Sequence, residues 1–557
     1  MTQVAERRAP VSILFDRRFE ILAYGVILVG AAFLRLGNLA VRGTWDADQG
    51  HDMLVLRALV LDGRIPLLGP PTSIGDFHHG VLYYFLLAPA AALSHADPVA
   101  VTTWIALGGV AAVAVTGWLA RSIAGPLAGV LAALLLAVSS SAVEESIFIW
   151  NPDLIALSSS MALAAAWHAW RSERVGWWLV AGAAAVVTMH CHVLGAILTP
   201  VIAGLLVADV RRRRRRRDRP GAVAVSRMAF GWLGLALLSY VPLAIHELGS
   251  DASELRAAIA FVTGGGGPAS IALPARLPIV GLRVLGWPLT GLITAAPWAT
   301  VLSASLVVGL AVWRGWLGRE RPDAALGTAD TGGTATGGTD DERTAVRWLA
   351  LGLVWTVVAL AVGASSLATV VAGLPNDHYH AFADPMVVVL VAVGLASLVK
   401  RGSFAGARRG PAPTNGALAA AVVVALVGWN VTTQPPAAAP DGGWQAAQVG
   451  AARVIADAGR GPLVLASLPA FKSDEALRMP LEAASAEVLP AGGNGAALGG
   501  PTATRVILCD QLFRATIGAD CGGAAEDALI GDRATEVFID RFEAAPGRWI
   551  SVYRPSG

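Results

Sequence analysis

The amino-acid sequence predicts an all-α membrane protein with many membrane spans, followed by a small C-terminal α/β domain. Of the 557 residues, 55% are hydrophobic and 15% are charged, whereas about 25% are charged in an ordinary soluble protein. The mean hydropathy is +0.58, and apolar runs recur that approach the roughly 20 residues needed to cross a hydrocarbon core. A soluble fold could not bury this much apolar surface. The three cysteines are too few for a disulfide scaffold.

About eleven apolar runs are long enough to be read as membrane helices. The two runs between residues 176 and 210 allow an alternative, because one long tilted helix could replace two short ones. The first eighteen residues are polar and the run after them is long enough to span, so we do not expect a cleaved signal peptide. The predicted spans are 19–40, 98–120, 123–142, 152–170, 176–190, 193–210, 224–246, 286–313, 346–372, 381–399 and 416–433.

Arginine and lysine clusters between the spans predict the orientation in a plasma membrane, since such clusters stay on the cytoplasmic side. With a cytoplasmic N-terminus and eleven spans, every cluster lies inside, including the arginine run 211–217. A nucleic-acid patch is the alternative for this run, but its place between two spans and the net charge of +2 favour a topology anchor and no nucleic-acid partner. The membrane module is then 1–433, with a first outer loop at 41–97 and a cytoplasmic linker at 315–345.

Residues 434–557 form the predicted extracytoplasmic α/β domain. Charged residues return after Asp441, and the apolar runs shorten to strand length at 462–468, 505–509 and 549–553. Residues 445–458 have the spacing of an amphipathic helix. Cys509 and Cys521 lie on the oxidising side of the membrane in this topology, so a disulfide between them is plausible.

Polar residues concentrate near the predicted outer face. Short helices are expected at 49–61 and 80–93, lying in the plane of the interface because they are too short to span. A transporter would instead require polar groups at mid-membrane depth or on both sides, so chemistry at the outer boundary fits better. Nine of the ten histidines lie on or near this face: His51, His78, His79, His95, His190, His192, His246, His378 and His380.

The first outer loop resembles the lipid-carrier-dependent glycosyltransferases of the GT-C class, which include protein O-mannosyltransferases and the aminoarabinose transferases of lipid A. The shared pattern covers about residues 40–95: an Asp after the first span, a short helix, the turn Gly63–Pro66, and a polar pair before Leu82-Tyr83-Tyr84. A looser similarity continues through Trp150–Asp153 and Asp377–His380. Two departures are that Gln49 and His51 stand where relatives often carry an acid and an arginine, and that 77–80 replaces a Glu-Lys-Pro motif.

The resemblance implies a GT-C fold and an inverting transferase. Such an enzyme moves a sugar from a polyprenyl-phosphate carrier to a lipid, glycan or protein acceptor on the outer face. It implies no cofactor. A divalent metal stays open, although the sequence has no metal-ligand motif of the zinc-enzyme type. The alternatives from other classes are a polytopic transporter and a non-catalytic assembly protein that uses the outer domain for partners.

The resemblance places the catalytic base at Asp48, which would accept the proton of the acceptor hydroxyl. Asp46 is the alternative base, and an N-cap is the alternative role for Asp48. Asp52 shares a helix face with Asp48, where an ion pair with a neighbour is the alternative to a role in binding. Arg57 could equally reach lipid headgroups, and Tyr83 and Tyr84 are expected in an interfacial aromatic belt more than in contact with substrate. The residues predicted to bind the substrate or its phosphate are His51, Asp52, Arg57, His78, His79, Tyr83, His378 and His380.

Overall fold

A computed structural model gives the fold of most of the chain. It describes residues 17–72, 77–263, 271–317, 337–369, 377–405, 414–470, 472–489, 503–530 and 536–556. Within these residues the membrane module is helical, and a four-stranded sheet occurs in the C-terminal part.

The helices of the membrane module follow the apolar runs of the sequence. Their ends carry ordinary stop and start signals: Gly125 (φ 88°) ends one helix and Pro126 begins the next. The α-helices are Arg17–Leu36, Leu39–Arg42, Ala47–Leu61, Leu82–Ser94, Pro98–Ala124, Pro126–Val138, Ser140–Glu144, Ile155–Ser172, Gly176–Cys191, Leu198–Arg215, Arg219–Ser239, Val241–Gly249, Ser253–Thr263, Leu273–Thr290, Pro297–Val312, Gly337–Gly363, Asp384–Ala405 and Thr414–Thr432.

Every predicted span coincides with at least one helix. Eight helices of the described residues are long and apolar enough to cross a membrane, so the number eleven stays a prediction. The chain between 176 and 210 forms two helices, Gly176–Cys191 and Leu198–Arg215, joined by the 3₁₀ turn Val193–Ile197. The two short outer-loop helices are also present, at Ala47–Leu61 and Leu82–Ser94.

The predicted span 286–313 is wrong in its bounds, because it joins two helices. The first helix ends at Thr290, where Gly291 adopts a φ of 73°, and the second begins at Pro297. A residue with positive φ cannot continue a right-handed helix, and proline fits its first turn. The apolar character continues through this break, so hydropathy alone could not reveal it. The predicted linker 315–345 falls mostly outside the described residues.

Four of the long helices run between the same two ends of the module. Helices Pro98–Ala124, Ile155–Ser172, Leu198–Arg215 and Asp384–Ala405 each finish near basic residues, at what we call the arginine end. There Lys400 Nζ donates to the Ala124 carbonyl at 2.7 Å, and Arg212 and Arg216 pair with Glu173. We call the opposite end the site end. It carries the two outer-loop helices and the 3₁₀ segments Asn151–Leu154, Val193–Ile197 and Asp377–Ala383.

The C-terminal part forms a small sheet domain, as predicted, and its sheet is mixed. Its strands are β1 (Leu463–Leu468), β2 (Thr504–Asp510), β3 (Glu536–Ala545) and β4 (Arg548–Pro555), in the order β1-β2-β4-β3. β1 and β2 are parallel, and the other two pairs are antiparallel. The predicted disulfide joins Cys509 to Cys521. The helices of this part are Gly443–Ala458, Glu475–Ala483, Arg514–Ile517 and Ala524–Ile530.

Helix Glu475–Ala483, which we call the docking helix, packs against Ala47–Leu61, which we call the loop helix. The two backbones approach closely at Gly50, where an added Cβ would lie 2.2 Å from the Glu475 carbonyl oxygen. Trp45 Nε1 donates to the Ala476 carbonyl at 2.8 Å. The C-terminal sheet domain is therefore seated on the site end of the membrane module.

Candidate active site

A cavity of about 260 Å³ lies at the site end, between the loop helix, the three 3₁₀ segments and the start of the docking helix. Aromatic and proline side chains form part of its wall, including Phe77, Trp150 and Phe261. Its ionisable and hydroxyl lining residues, apart from Thr72 and Tyr379, are Asp48, His51, Asp52, His79, His192, His378, Ser473 and Glu475.

Asp48 lies in the first turn of the loop helix and presents its carboxylate to the cavity. The carboxylate makes no hydrogen bond with the residues that the structure describes. Although the side chain is open to the cavity, the surrounding protein desolvates it, and this burial together with the charge of Asp46 raises the pKa of Asp48. Among the described residues, the Asp48 carboxylate thus has no partner, and it faces a partly enclosed cavity.

Asp46, the alternative base, is engaged elsewhere. It is the N-cap of the loop helix, where Gln49 Oε1 accepts from its backbone N–H at 2.9 Å in a capping box. Its carboxylate pairs with Arg548 at 2.9 Å and with Lys472. Burial raises the pKa of Asp46, but these two cations outweigh it and lower the value. The N-cap alternative for Asp48 is therefore wrong, because Asp46 occupies that position.

His51 lies one turn after Ala47 and contacts the C-terminal domain. Its Nδ1 is 2.8 Å from Glu475 Oε1, and the other oxygen of Glu475 accepts from Ser473 Oγ at 2.8 Å. Burial lowers the pKa of His51, but the hydrogen bond and charge of Glu475, with smaller contributions from Asp52 and Asp48, raise it above the usual value. Glu475 therefore stabilises the imidazolium form of His51 at the edge of the cavity.

Asp52 is buried behind Asp48, one helical turn further on. Its two oxygens accept hydrogen bonds from Tyr83 Oη and Tyr84 Oη, both at 2.9 Å. Burial raises the pKa of Asp52 to about 7, against the opposing effects of His51 and the two tyrosines. Both tyrosine side chains are fully buried, so the prediction of an interfacial aromatic belt is wrong for them. Their polar ends required a partner inside the protein.

Three histidines line the wall opposite the loop helix. The ring centroids of His79 and His192 are 4.7 Å apart, and those of His192 and His378 are 5.7 Å apart. His79 Nδ1 accepts from the Val193 N–H at 3.3 Å, which leaves Nε2 to carry the proton. Burial lowers the pKa of His79 to about 3 and that of His192 well below its usual range. These rings are neutral at physiological pH and can act as donors but not as cations.

The remaining predicted site residues do not line the cavity. His78 pairs with Glu254 through Nδ1 at 2.9 Å and through its backbone N–H at 2.8 Å. His380 Nε2 is 2.9 Å from Asp377, which also receives two hydrogen bonds from Arg283, at 2.9 and 2.8 Å. Arg57 is half-buried on the loop helix, and Tyr83 reaches Asp52 instead of the cavity.

Among the described residues, no group of three or more His, Cys, Asp or Glu side chains is arranged to hold a metal ion. The sequence reasoning missed Ser473, Glu475 and His192. The two C-terminal residues carry no local signal, because they approach the cavity only through the docking of a distant helix. His192 was recognised as lying near the outer face, but nothing in its spacing indicated that its ring lies between those of His79 and His378.

Comparison with known proteins gives a partial match to a family model and a similarity of fold. Residues 78–244 match the family model described as dolichyl-phosphate-mannose-protein mannosyltransferase, which is less than half of the chain. No curated protein matches.

Solved structures of ArnT from Cupriavidus metallidurans are similar over nearly their whole length. The apo structure covers 96% of this chain and 98% of that chain at 13% identity, with a TM-score of 0.52. The structure bound to undecaprenyl phosphate has the same identity and coverage and a TM-score of 0.51. The chain spans 56% of the length of the oligosaccharyltransferase AglB from Archaeoglobus fulgidus, in complex with an inhibitory peptide and a dolichol-phosphate. That match covers 75% of this chain at 14% identity, with a TM-score of 0.44.

The predicted fold class is confirmed by these comparisons. The likeness to ArnT extends from the membrane helices through the C-terminal sheet domain. The matching family model is one of mannosyltransferases, which indicates glycosyltransferase activity. The chain has the GT-C glycosyltransferase fold.

Proposed function

We propose that the protein transfers a sugar, with inversion, from a polyprenyl-phosphate carrier to an acceptor hydroxyl, with Asp48 as the general base. The observation that carries this proposal is the carboxylate of Asp48, which has no hydrogen-bond or ion-pair partner among the described residues and is open to a partly enclosed cavity at one end of a helical membrane module. A raised pKa makes a carboxylate a stronger base than an ordinary surface aspartate.

The reaction needs one proton acceptor and stabilisation of the departing phosphate. The acceptor oxygen attacks the anomeric carbon from the face opposite the carrier and passes its proton to Asp48. The bond between that carbon and the phosphate oxygen breaks, and its electron pair leaves with the carrier phosphate. His51 as an imidazolium would stabilise the charge of this leaving group. The neutral rings of His79, His192 and His378 are suited to donating hydrogen bonds to sugar hydroxyls.

The size of the cavity supports a single sugar as the transferred group. A volume of about 260 Å³ lies near the lower limit of small-molecule pockets, roughly 300 Å³. The acceptor, which is a lipid, glycan or protein, would meet the sugar at the boundary between the membrane and the outer solution.

We further propose that the site end faces the outside of the plasma membrane. The basic clusters at the arginine end support this orientation, because such clusters are retained in the cytoplasm. The N-terminus would be cytoplasmic and the C-terminal sheet domain extracytoplasmic. The donor would then reach the cavity from the outer leaflet.

The proposal is tested with membranes containing the full-length protein and radiolabelled polyprenyl-phosphate mannose or aminoarabinose. Asp48→Asn should lower sugar transfer by about 10²- to 10⁴-fold, the usual range for removing a general base. Asp62→Asn is the matched control, because Asp62 caps the other end of the same helix and does not line the cavity. Undiminished transfer by a well-expressed Asp48→Asn variant would overturn the assignment.

A further inference from the structure

The C-terminal sheet domain contributes part of the cavity wall. Ser473 and Glu475 line the cavity together with residues of the loop helix, more than 400 positions earlier in the chain. The contact is direct, since Glu475 Oε1 is 2.8 Å from His51 Nδ1. The side chains of Glu475 and His51 retain only 27% and 31% exposure.

Further contacts hold the domain in this position. Asp441 accepts from Thr44 Oγ1 at 2.7 Å and from the Trp45 N–H at 2.8 Å. Arg548 donates to the Trp45 carbonyl and to Asp46, both at 2.9 Å. These contacts all involve residues 44–46, at the start of the loop helix. They hold the C-terminal domain against the loop helix and thereby fix the position of Glu475 relative to His51.

The described lining of the cavity carries no permanently charged cationic side chain. None of the described residues that line it is a lysine or an arginine. The neighbouring cations Lys472 and Arg548 are committed to Asp46. A phosphate that leaves into such a cavity therefore depends on a histidine for charge stabilisation, and His51 is the lining histidine that pairs with a carboxylate.

We propose that Glu475 is a positioning residue of the active site: it holds His51 as an imidazolium cation directed at the phosphate of the lipid carrier. This inference rests on the function proposed above. Glu475 acts through His51, and it also fixes the orientation of the ring, because the Nδ1–H bonded to the carboxylate leaves the Nε2–H of the imidazolium for the ligand. The C-terminal domain thereby completes the site instead of merely covering it.

The titratable groups that face His51 are Asp48 and Asp52 from its own helix and Glu475 from the docking helix. In Glu475→Gln the amide oxygen can still accept the hydrogen bond, so docking is preserved while the negative charge is lost. The pKa of His51 then falls. At a pH above the pKa of His51, each unit by which that pKa decreases lowers the fraction of His51 in the imidazolium form about tenfold.

The experiment measures binding of undecaprenyl phosphate to the full-length protein in phosphatidylcholine nanodiscs, from pH 6 to 9, with sugar transfer followed in parallel. For Glu475→Gln we expect binding about tenfold weaker near neutral pH and an alkaline limit shifted to lower pH. Glu482→Gln is the matched control, since Glu482 lies on the same helix outside the cavity and pairs with Arg478 at 3.8 Å. It should behave as wild type.

A second pair of variants separates the effect of the Glu475 charge on His51 from any structural effect of replacing Glu475. His51→Lys supplies a cation that needs no carboxylate partner, so adding Glu475→Gln to it should change binding by no more than about twofold, the usual error of additivity. An equal loss in both backgrounds would overturn the proposal, and so would a Glu475→Gln profile that matches that of Glu482→Gln. If binding depends on Glu475 as expected but wild type transfers no sugar, the proposed function fails and the role of Glu475 stands.

Discussion

Replacing Asp52 by asparagine tests the electrostatics of the site without removing the proposed base. Asp52 is 2% exposed and its carboxylate accepts from two tyrosine hydroxyls. An asparagine has the same shape. Its oxygen can accept from one tyrosine and its amide can donate to the oxygen of the other, so the packing around residue 52 should persist.

The magnitude follows from the pKa of Asp52, which is about 7 in the folded protein against the usual value of 3.8 for an aspartate. Between these two values the folded protein retains a proton that the unfolded chain releases, so wild-type stability falls as pH rises through this range. Above pH 7 the full cost is reached, about 4 kcal/mol at 1.36 kcal/mol per unit. Asp52→Asn does not titrate at this position and avoids the cost.

We therefore expect Asp52→Asn to gain stability relative to wild type as the pH increases from 4 to 8. Thermal unfolding of the purified protein in detergent, followed across that range, measures the difference in Tm. Asp62→Asn, an exposed position at the end of the same helix, should show no such trend. A Tm difference for Asp52→Asn that is independent of pH, or that decreases with pH, would refute the reasoning.

Two further predictions concern a close contact between two helices and a buried ion pair. Gly50→Ala should abolish most sugar transfer, because its Cβ would meet a backbone carbonyl of the docking helix at 2.2 Å. Gly30→Ala, which meets nothing within 4 Å, should retain activity in the same membrane assay. Arg283→Met should lower the unfolding free energy by about 3–5 kcal/mol, because it leaves the buried carboxylate of Asp377 without its arginine. Arg256→Met, at an exposed ion pair, should cost less than about 1 kcal/mol, and thermal unfolding compares the two.

The fold was largely predictable because the bilayer constrains it. Apolar runs of membrane length had to become helices, and the positions of nearly all of them were found correctly. One exception is at Gly291, where a helix ends without any loss of apolar character. The predicted span 224–246 is likewise divided, between helices Arg219–Ser239 and Val241–Gly249. In the C-terminal domain β3 was missed. Its residues are mostly exposed or half-buried, so the strand lacks the continuous apolar run that marked β1 and β2.

The site was predictable only where its residues are close together in the sequence. The loop helix and its acidic first turn were found, and Asp48 does face the cavity. The partners of these residues come from elsewhere: Asp52 meets tyrosines about 30 positions away, and Asp46 meets Arg548. Sequence spacing gives no information on such contacts. Tyr83 and Tyr84 therefore looked like surface aromatics until their shared acceptor was located.

The cavity has one wall near residue 48 and another near residue 475, with more than 400 residues of the chain between them. During biosynthesis the first wall leaves the ribosome hundreds of residues before the second. A growing chain anchored by its early helices would thus contain Asp48 but not the complete cavity. The cavity would therefore be complete only after translation ends and the C-terminal domain has folded onto the loop helix.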